Sequence, residues 1–329
     1  MSKILFTCGD VNGIGPEIII KSLNSVTRKS GNKFYVICPR KTFLETSKIV
    51  KPEFDFLFSD KFNDTEKGIV SVITLKDISG KYGYPTKASG KTAFKAIKLA
   101  VELANAKNID AIITAPISKT AFKMAGVNFP GHTEMLAEYS NTKNFVMTFL
   151  SPKMKASLVS IHEPIKKVAG LINERKLHNT FDVVIQSLKI DFNINTPKIA
   201  VLGLNPHAGE NGLIGKEEEQ VIKPAIKSYR FKKFLSGPFS PDAFFANRLY
   251  KNFDMVIGMY HDQVLIPFKL LNFGGGVNYT AGLPIIRTSP DHGVAYDIAV
   301  KNMANPSSMI QAYKYAEKIV KSRKRNASS

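Results

Sequence analysis

Short, unbroken apolar runs recur along the chain, separated by stretches in which apolar residues return every three or four positions. The runs suggest strands at 3–8, 34–38, 70–75, 111–114, 145–150, 156–160, 198–204, 255–259 and 284–288. Several lack alternation, as strands buried on both faces do. Helical spacing is clearest in 92–106, where Ala93, Ile97, Ala100, Val101 and Ala104 share one face. It recurs in 307–321, with Met309, Ala312, Tyr313, Ala316 and Ile319 on the stripe. Strand and helix alternating from end to end predict an α/β fold with largely parallel sheets. At 329 residues the chain is too long for one ordinary core and suits two domains. No internal repeat or Pro/Gly-rich linker interrupts the pattern.

Composition narrows the class. A hydrophobic fraction of 44% and a charged fraction of 22% are those of a globular chain. No apolar run approaches the roughly 20 residues needed to span a bilayer. The N-terminus reads as a short strand and a polar turn instead of a signal peptide, which predicts a cytoplasmic protein. Cys8 and Cys38 each end an apolar run and are expected to be buried thiols in neighbouring strands, not a disulfide or a metal motif. The formal charge of +19 raises nucleic acid as a partner, but the 46 Lys and Arg are scattered over predicted helix faces. Their one dense run, Lys321-Ser322-Arg323-Lys324-Arg325, is a tail, and nothing resembles a recognition module. The charge is read as solvated surface that steers anionic substrates.

Two glycine-containing loops invite phosphate readings that their spacing does not support. In Gly9-Asp10-Val11-Asn12-Gly13-Ile14-Gly15-Pro16-Glu17 the glycines miss the dinucleotide fingerprint, so a structural turn opening a helix is the simpler reading. Its backbone amides could still meet an anion. Ser89-Gly90-Lys91-Thr92 has Pro85 where a phosphate loop needs glycine, and reads as a helix start.

The histidines carry more. Five of the six sit beside glycine, proline or acidic residues: His132, His162, His207, His261 and His292. His162, His207 and His261 each follow a strand-like run, where parallel sheets carry their ligand sites. Three imidazoles there could converge on one divalent ion, or each could be structural. His178 lies inside a helical pattern and is expected to be ordinary surface. Lys269, Asn278 and Arg287 form a second group near a glycine-rich stretch, able to bind phosphate or carboxylate. Arg287 interrupts an otherwise apolar strand, where a charge is costly unless paired. Either it grips an anion or it pairs with a fixed carboxylate such as Asp291.

Taken together, Gly9–Glu17, Gly131-His132-Thr133-Glu134, Leu204-Asn205-Pro206-His207-Ala208-Gly209-Glu210, Tyr260-His261-Asp262-Gln263 and Ile286-Arg287-Thr288-Ser289-Pro290-Asp291-His292-Gly293 resemble the 4-hydroxythreonine-4-phosphate dehydrogenase family of vitamin B6 biosynthesis, in the family's order. Val11-Asn12 departs from the family's common Pro-Ala, and the Gly274–Gly276 stretch lacks a bulky residue often found there. The resemblance implies two α/β/α domains of the isocitrate/isopropylmalate dehydrogenase type, with the active site in the inter-domain cleft. The first domain is expected at 1–130 plus 286–329, and the second at 131–285 with the metal site and dimer interface. His162, His207 and His261 are then the metal ligands, and His132, Thr133, Lys269, Asn278 and Arg287 contact substrate. Asp262 and Lys119 are candidates for the proton acceptor. The implied enzyme is a homodimer with a shared active site, without membrane or nucleic-acid partner. It uses NAD or NADP and one divalent ion, with zinc or cobalt favoured over magnesium by imidazole donors. Its reaction is oxidation of 4-phosphooxy-L-threonine to 2-amino-3-oxo-4-phosphooxybutanoate, which decarboxylates to 3-amino-2-oxopropyl phosphate. A paralogue acting on threonate or erythronate 4-phosphate is the alternative.

Overall fold

The computed structural model describes residues 1–129, 131–272 and 274–328. Its strands among these residues are β1 (Lys3–Thr7), β2 (Lys33–Pro39), β3 (Asp55–Ser59), β4 (Ile69–Leu75), β5 (Ala111–Thr114), β6 (Val146–Leu150), β7 (Lys155–Leu158), β8 (Ile199–Leu202), β9 (Leu235–Phe239), β10 (Met255–Gly258), β11 (Val277–Ala281) and β12 (Arg287–Pro290). The chain divides into one compact unit of Met1–Lys143 with Leu283–Lys321, and another of Asn144–Gly282 with Ser322–Ser329.

In the first unit the strands run in the order β3-β4-β2-β1-β5-β12, every neighbouring pair parallel. Ile4, Leu5, Phe6, Val36, Ile37, Val72 and Ile113 are buried there. Each such side chain stabilises the fold by about 1.5–3 kcal/mol relative to exposure. Cys8 and Cys38 are free buried thiols at the ends of adjacent strands, as expected. Helix Lys87–Asn105 opens with a capping box in which Thr86 Oγ1 accepts from Ser89 N–H and the Ser89 hydroxyl accepts from Thr86 N–H. Residues 89–92 therefore begin a helix and hold no phosphate loop. The same helix buries Ala93, Ala96, Ile97, Ala100 and Val101.

The second unit is mixed, in the order β11-β6-β7-β10-β8-β9. β11, β6 and β7 pair antiparallel, and β7, β10, β8 and β9 pair parallel. The antiparallel β6–β7 pair is joined by a tight turn in which Ser151 and Met154 exchange backbone and hydroxyl hydrogen bonds. Phe149, Leu158, Leu202, Val256, Val264 and Phe268 form its core.

All nine expected strands form, the last shifted to Arg287–Pro290. Three went unseen. β3 is a half-exposed edge, β9 contains Gly237-Pro238, and β11 alternates behind a glycine-rich stretch. The first boundary, expected near residue 130, falls at Lys143. Helix His132–Tyr139 belongs with the first unit because Asn105 donates to Tyr139 O and Phe94 packs on the Tyr139 ring. The last residues, expected with the first unit, belong with the second. There Ser322 donates to Ile190 O, and Arg323 pairs with the buried Asp191 carboxylate at 2.7 Å.

Candidate active site

In the first unit, β12 sets Arg287 opposite Ile112 of β5. The side chain is only 2% exposed. Its Nε and Nη2 donate to Thr114 Oγ1 at 3.0 and 2.8 Å, while Nη1 is shut from solvent without a hydrogen-bond partner. Burial pulls the guanidinium pKa down to about 9, against a smaller upward pull from the Glu134 charge. His132 opens the helix His132–Tyr139, and its Nε2 is likewise shut from solvent and unpartnered. Burial first, and the Arg287 charge second, hold the His132 imidazole well below its ordinary pKa. Thr133, the next residue, is buried.

These groups bring unmet hydrogen-bond donors and a buried charge to one place. Two buried nitrogens lack partners, one cation has no carboxylate within ion-pair distance among the described residues, and the positive end of a helix adjoins them. A buried, unpaired charge is costly, and an anion offsets that cost. Asp291 exchanges hydrogen bonds with Ser308, and the carboxylate whose charge reaches Arg287 is that of Glu134.

In the second unit, β7, β10 and β8 lie side by side and parallel. His162, His261 and His207 follow these three strands at their carboxyl ends. Backbone bonds from Val159 to Gly258 and from Ser160 to Met259 carry the β7–β10 pairing towards His162 and His261. The two rings stand 5.7 Å apart between centroids. That separation allows both to reach one ion at about 2.0–2.1 Å. His261 Nδ1 meets Asp262 Oδ1 at 2.6 Å, which leaves Nε2 as the ring's outward donor. Among the described residues no group of three or more His, Cys, Asp or Glu stands close enough to hold a metal. Imidazole nitrogens are donors that a divalent ion accepts, and two of them meet here.

The loop carrying His207 is unusual. His207, Ala208, Gly209, Glu210 and Asn211 are five consecutive residues with left-handed backbone angles, φ running from 44° to 76°. Outside glycine that conformation costs about 1–2 kcal/mol per residue, so other contacts must hold it. Glu218, fully buried, accepts from Leu204 N–H at 2.6 Å, Asn205 N–H at 2.7 Å and Asn205 Nδ2 at 2.9 Å. Gln263 donates to Gly203 O at 2.6 Å and accepts from Met259 N–H at 2.7 Å, tying this loop to the turn before His261.

The remaining expected site residues divide between the units. Lys119 is exposed at the start of helix Lys119–Met124, after β5 in the first unit. Asp262 and Lys269 lie exposed on helix His261–Leu271, and Asn278 on β11 keeps its Oδ1 shut from solvent without a partner. Thr114, Glu218 and Gln263 were not singled out by sequence. Glu218 lies in the run Glu217-Glu218-Glu219, which looks like solvated surface, and only Gln263 stood inside a recognised motif. His178 is a correction. It is half-buried rather than ordinary surface, its Nε2 lying 2.9 Å from Ala225 O and its ring packing on Tyr229.

Comparison with known proteins adds an independent line. Residues 30–316 match the model of the family described as pyridoxal phosphate biosynthetic protein PdxA. The chain is 42% identical over 318 residues to a 4-hydroxythreonine-4-phosphate dehydrogenase from Sulfurihydrogenibium, covering 96% of this chain and 98% of that one. It is also 40% identical over 316 residues to a D-threonate 4-phosphate dehydrogenase from Pectobacterium atrosepticum, covering 94% and 97%. A crystal structure of 4-hydroxythreonine-4-phosphate dehydrogenase from Klebsiella pneumoniae is similar with a TM-score of 0.85 at 36% identity, over 97% of this chain and 100% of that one.

Proposed function

The chain belongs to the PdxA family of pyridoxal phosphate biosynthetic proteins, and from that premise we propose that it is an NAD(P)-dependent dehydrogenase of 4-phosphooxy-L-threonine. The C3 hydroxyl is oxidised: its carbon gives hydride to the nicotinamide and its oxygen gives a proton to a base. The resulting 2-amino-3-oxo-4-phosphooxybutanoate is a β-keto acid and loses carbon dioxide to give 3-amino-2-oxopropyl phosphate.

The observation that carries this reading is the pair of unpartnered buried nitrogens, Arg287 Nη1 and His132 Nε2, at a helix N-terminus. Such a site takes an oxyanion of the substrate, with Thr133 beside it. Lys269 and Asn278, in the second unit, carry side chains of the kind that bind phosphate or carboxylate. His162, His207 and His261 would hold the divalent ion, which when bound lowers the pKa of the hydroxyl and stabilises developing negative charge on oxygen. Asp262 and Lys119 remain the candidates for the proton acceptor, with Asp262 also orienting the His261 ring.

A homodimer with a shared active site fits the surface. Within one chain two imidazoles meet and no third joins them among the described residues, which favours a site completed by a second subunit. Near these loops Leu213 is 84%, Ile266 59% and Leu270 80% exposed, apolar area that a second copy would cover. No helix among the described residues is long and apolar enough to cross a membrane. Two free thiols suit the reducing cytoplasm.

The Pectobacterium relative supports a second reading, oxidation of a threonate or erythronate 4-phosphate. Both readings use the same phosphate grip and metal ligands and differ at C2, which carries amine or hydroxyl. Presenting the phosphorylated amino acid and both phosphorylated sugar acids with NAD or NADP, with and without chelator, and following reduced nicotinamide decides between them. Highest kcat/KM on the amino acid, abolished by chelator, is the expected result. A preference for a sugar acid selects the second reading, and turnover indifferent to chelator rejects the metal.

A further inference from the structure

We infer that Glu218 is the positioning residue that sets the His207 side of the metal site. The inference rests on the reading of His207 as a metal ligand. Glu218 begins a π-helical turn, Glu218–Ile222, eleven residues beyond His207. Its carboxylate is 0% exposed, yet no Lys or Arg pairs with it among the described residues. Its three hydrogen bonds all go to Leu204 and Asn205, the residues that lead into His207.

All three partners are N–H donors. An acceptor-only side chain satisfies them, whereas a glutamine would turn its own N–H2 towards one. Burying a carboxylate without a cation is unfavourable, so its retention calls for something the loop gains. That gain is the left-handed run from His207 to Asn211. The loop is shaped to the carboxylate. A methyl group on Gly203 would lie 3.1 Å from Glu218 Oε1, and one on Gly209 2.6 Å from Oε2. Gly209 also has φ +76°, which a side chain rarely adopts. Asn205, gripped by Glu218 Oε2, is held as well by Glu217 Oε2 at 2.7 Å. Gln263 fixes the other end of the same loop at Gly203 O. His207 itself is exposed, and the loop that carries it is held at Leu204 and Asn205 by this buried acceptor.

Titrating Co2+ into metal-free, full-length enzyme, read by the visible absorbance of bound cobalt and by chelator competition, tests the assignment. Glu218→Gln should weaken Co2+ binding by about 10–100-fold, the usual effect of removing a group that orients a metal ligand. The thermal midpoint of the metal-free protein should stay near that of the wild type, and Glu219→Gln, an exposed neighbour, should bind as the wild type does. Folded Glu218→Gln with wild-type Co2+ affinity and spectrum overturns the inference. If Glu218→Gln does not fold, Glu218→Asp, which keeps the carboxylate but shortens its reach to Leu204 and Asn205, carries the same expectation and the same failure. His207→Ala separates the two levels. Lost binding in His207→Ala with intact binding in Glu218→Gln defeats the positioning role alone, whereas intact binding in His207→Ala defeats the ligand reading and this inference with it.

Discussion

The two ends of the proposed chemistry are built in opposite ways. In the first unit the anion grip is made of buried groups on regular elements, with Arg287 in a strand and His132 at a helix start. Their nitrogens are short of partners, so the site stores an unmet electrostatic demand. In the second unit His162 and His207 are exposed, sit on loops and have left-handed backbone, with φ of 31° and 52°. The residues leading into His207 are held from beneath by Glu218, which is fully buried. A charge-binding site gains from burial because a low dielectric strengthens its attraction. A metal site gains from rings that can be approached, with rigidity delegated to the layer behind.

That contrast can be broken by experiment, the largest effect first. His261→Ala should abolish metal-dependent turnover while shifting the thermal midpoint little, since the ring is half-exposed and its one charged partner is on the surface. A collapse in stability instead would mean that the ring is structural. Arg287→Ala should raise the KM for the phosphorylated substrate or lower kcat/KM by about 30-fold to several-thousand-fold, the equivalent of about 2–5 kcal/mol. Arg287→Lys should recover only part, because it keeps the charge and loses the planar fork. Arg287→Met should melt no lower than wild type without anions, since it removes a desolvated charge. A sharp drop in its midpoint would show that Thr114 alone compensates the guanidinium.

The smallest effect concerns His132. Its folded pKa is depressed, so the unfolded chain takes up the proton first, and the group lowers stability as pH falls below its ordinary value of 6.5. An anion bound beside it favours the protonated ring and reverses part of that loss. Sulfate, which does not titrate in this range, should therefore raise the melting temperature more at about pH 5.5 than at about pH 7.5. His132→Gln should flatten the difference, and an equal sulfate effect at both values in the wild type would remove His132 from the anion site.

Much of this was legible along the chain. Unbroken apolar runs announced buried strands because a strand covered on both faces has no polar side to show. Arg287 stood out for the same reason, as a charge within such a run. Histidines after strand ends pointed to a ligand edge because parallel strands end together. The edge strand β3 and the Gly-Pro strand β9 were not legible, since pairing with neighbours and not their own pattern makes them strands.

What sequence alone determined was the alternation of elements, the set of ligand-competent side chains and the family they identify. Tertiary structure alone decided that Arg287 rests on Thr114 and leaves one nitrogen unmet, and that β7, β10 and β8 lie abreast. It also decided that an acid inside Glu217-Glu218-Glu219 turns inward to accept from Leu204 and Asn205, just before His207. The physical reason is one of range. Periodicity and composition report each residue's preference for water, whereas hydrogen bonds between distant segments depend on where the folded chain returns, and no local pattern encodes that.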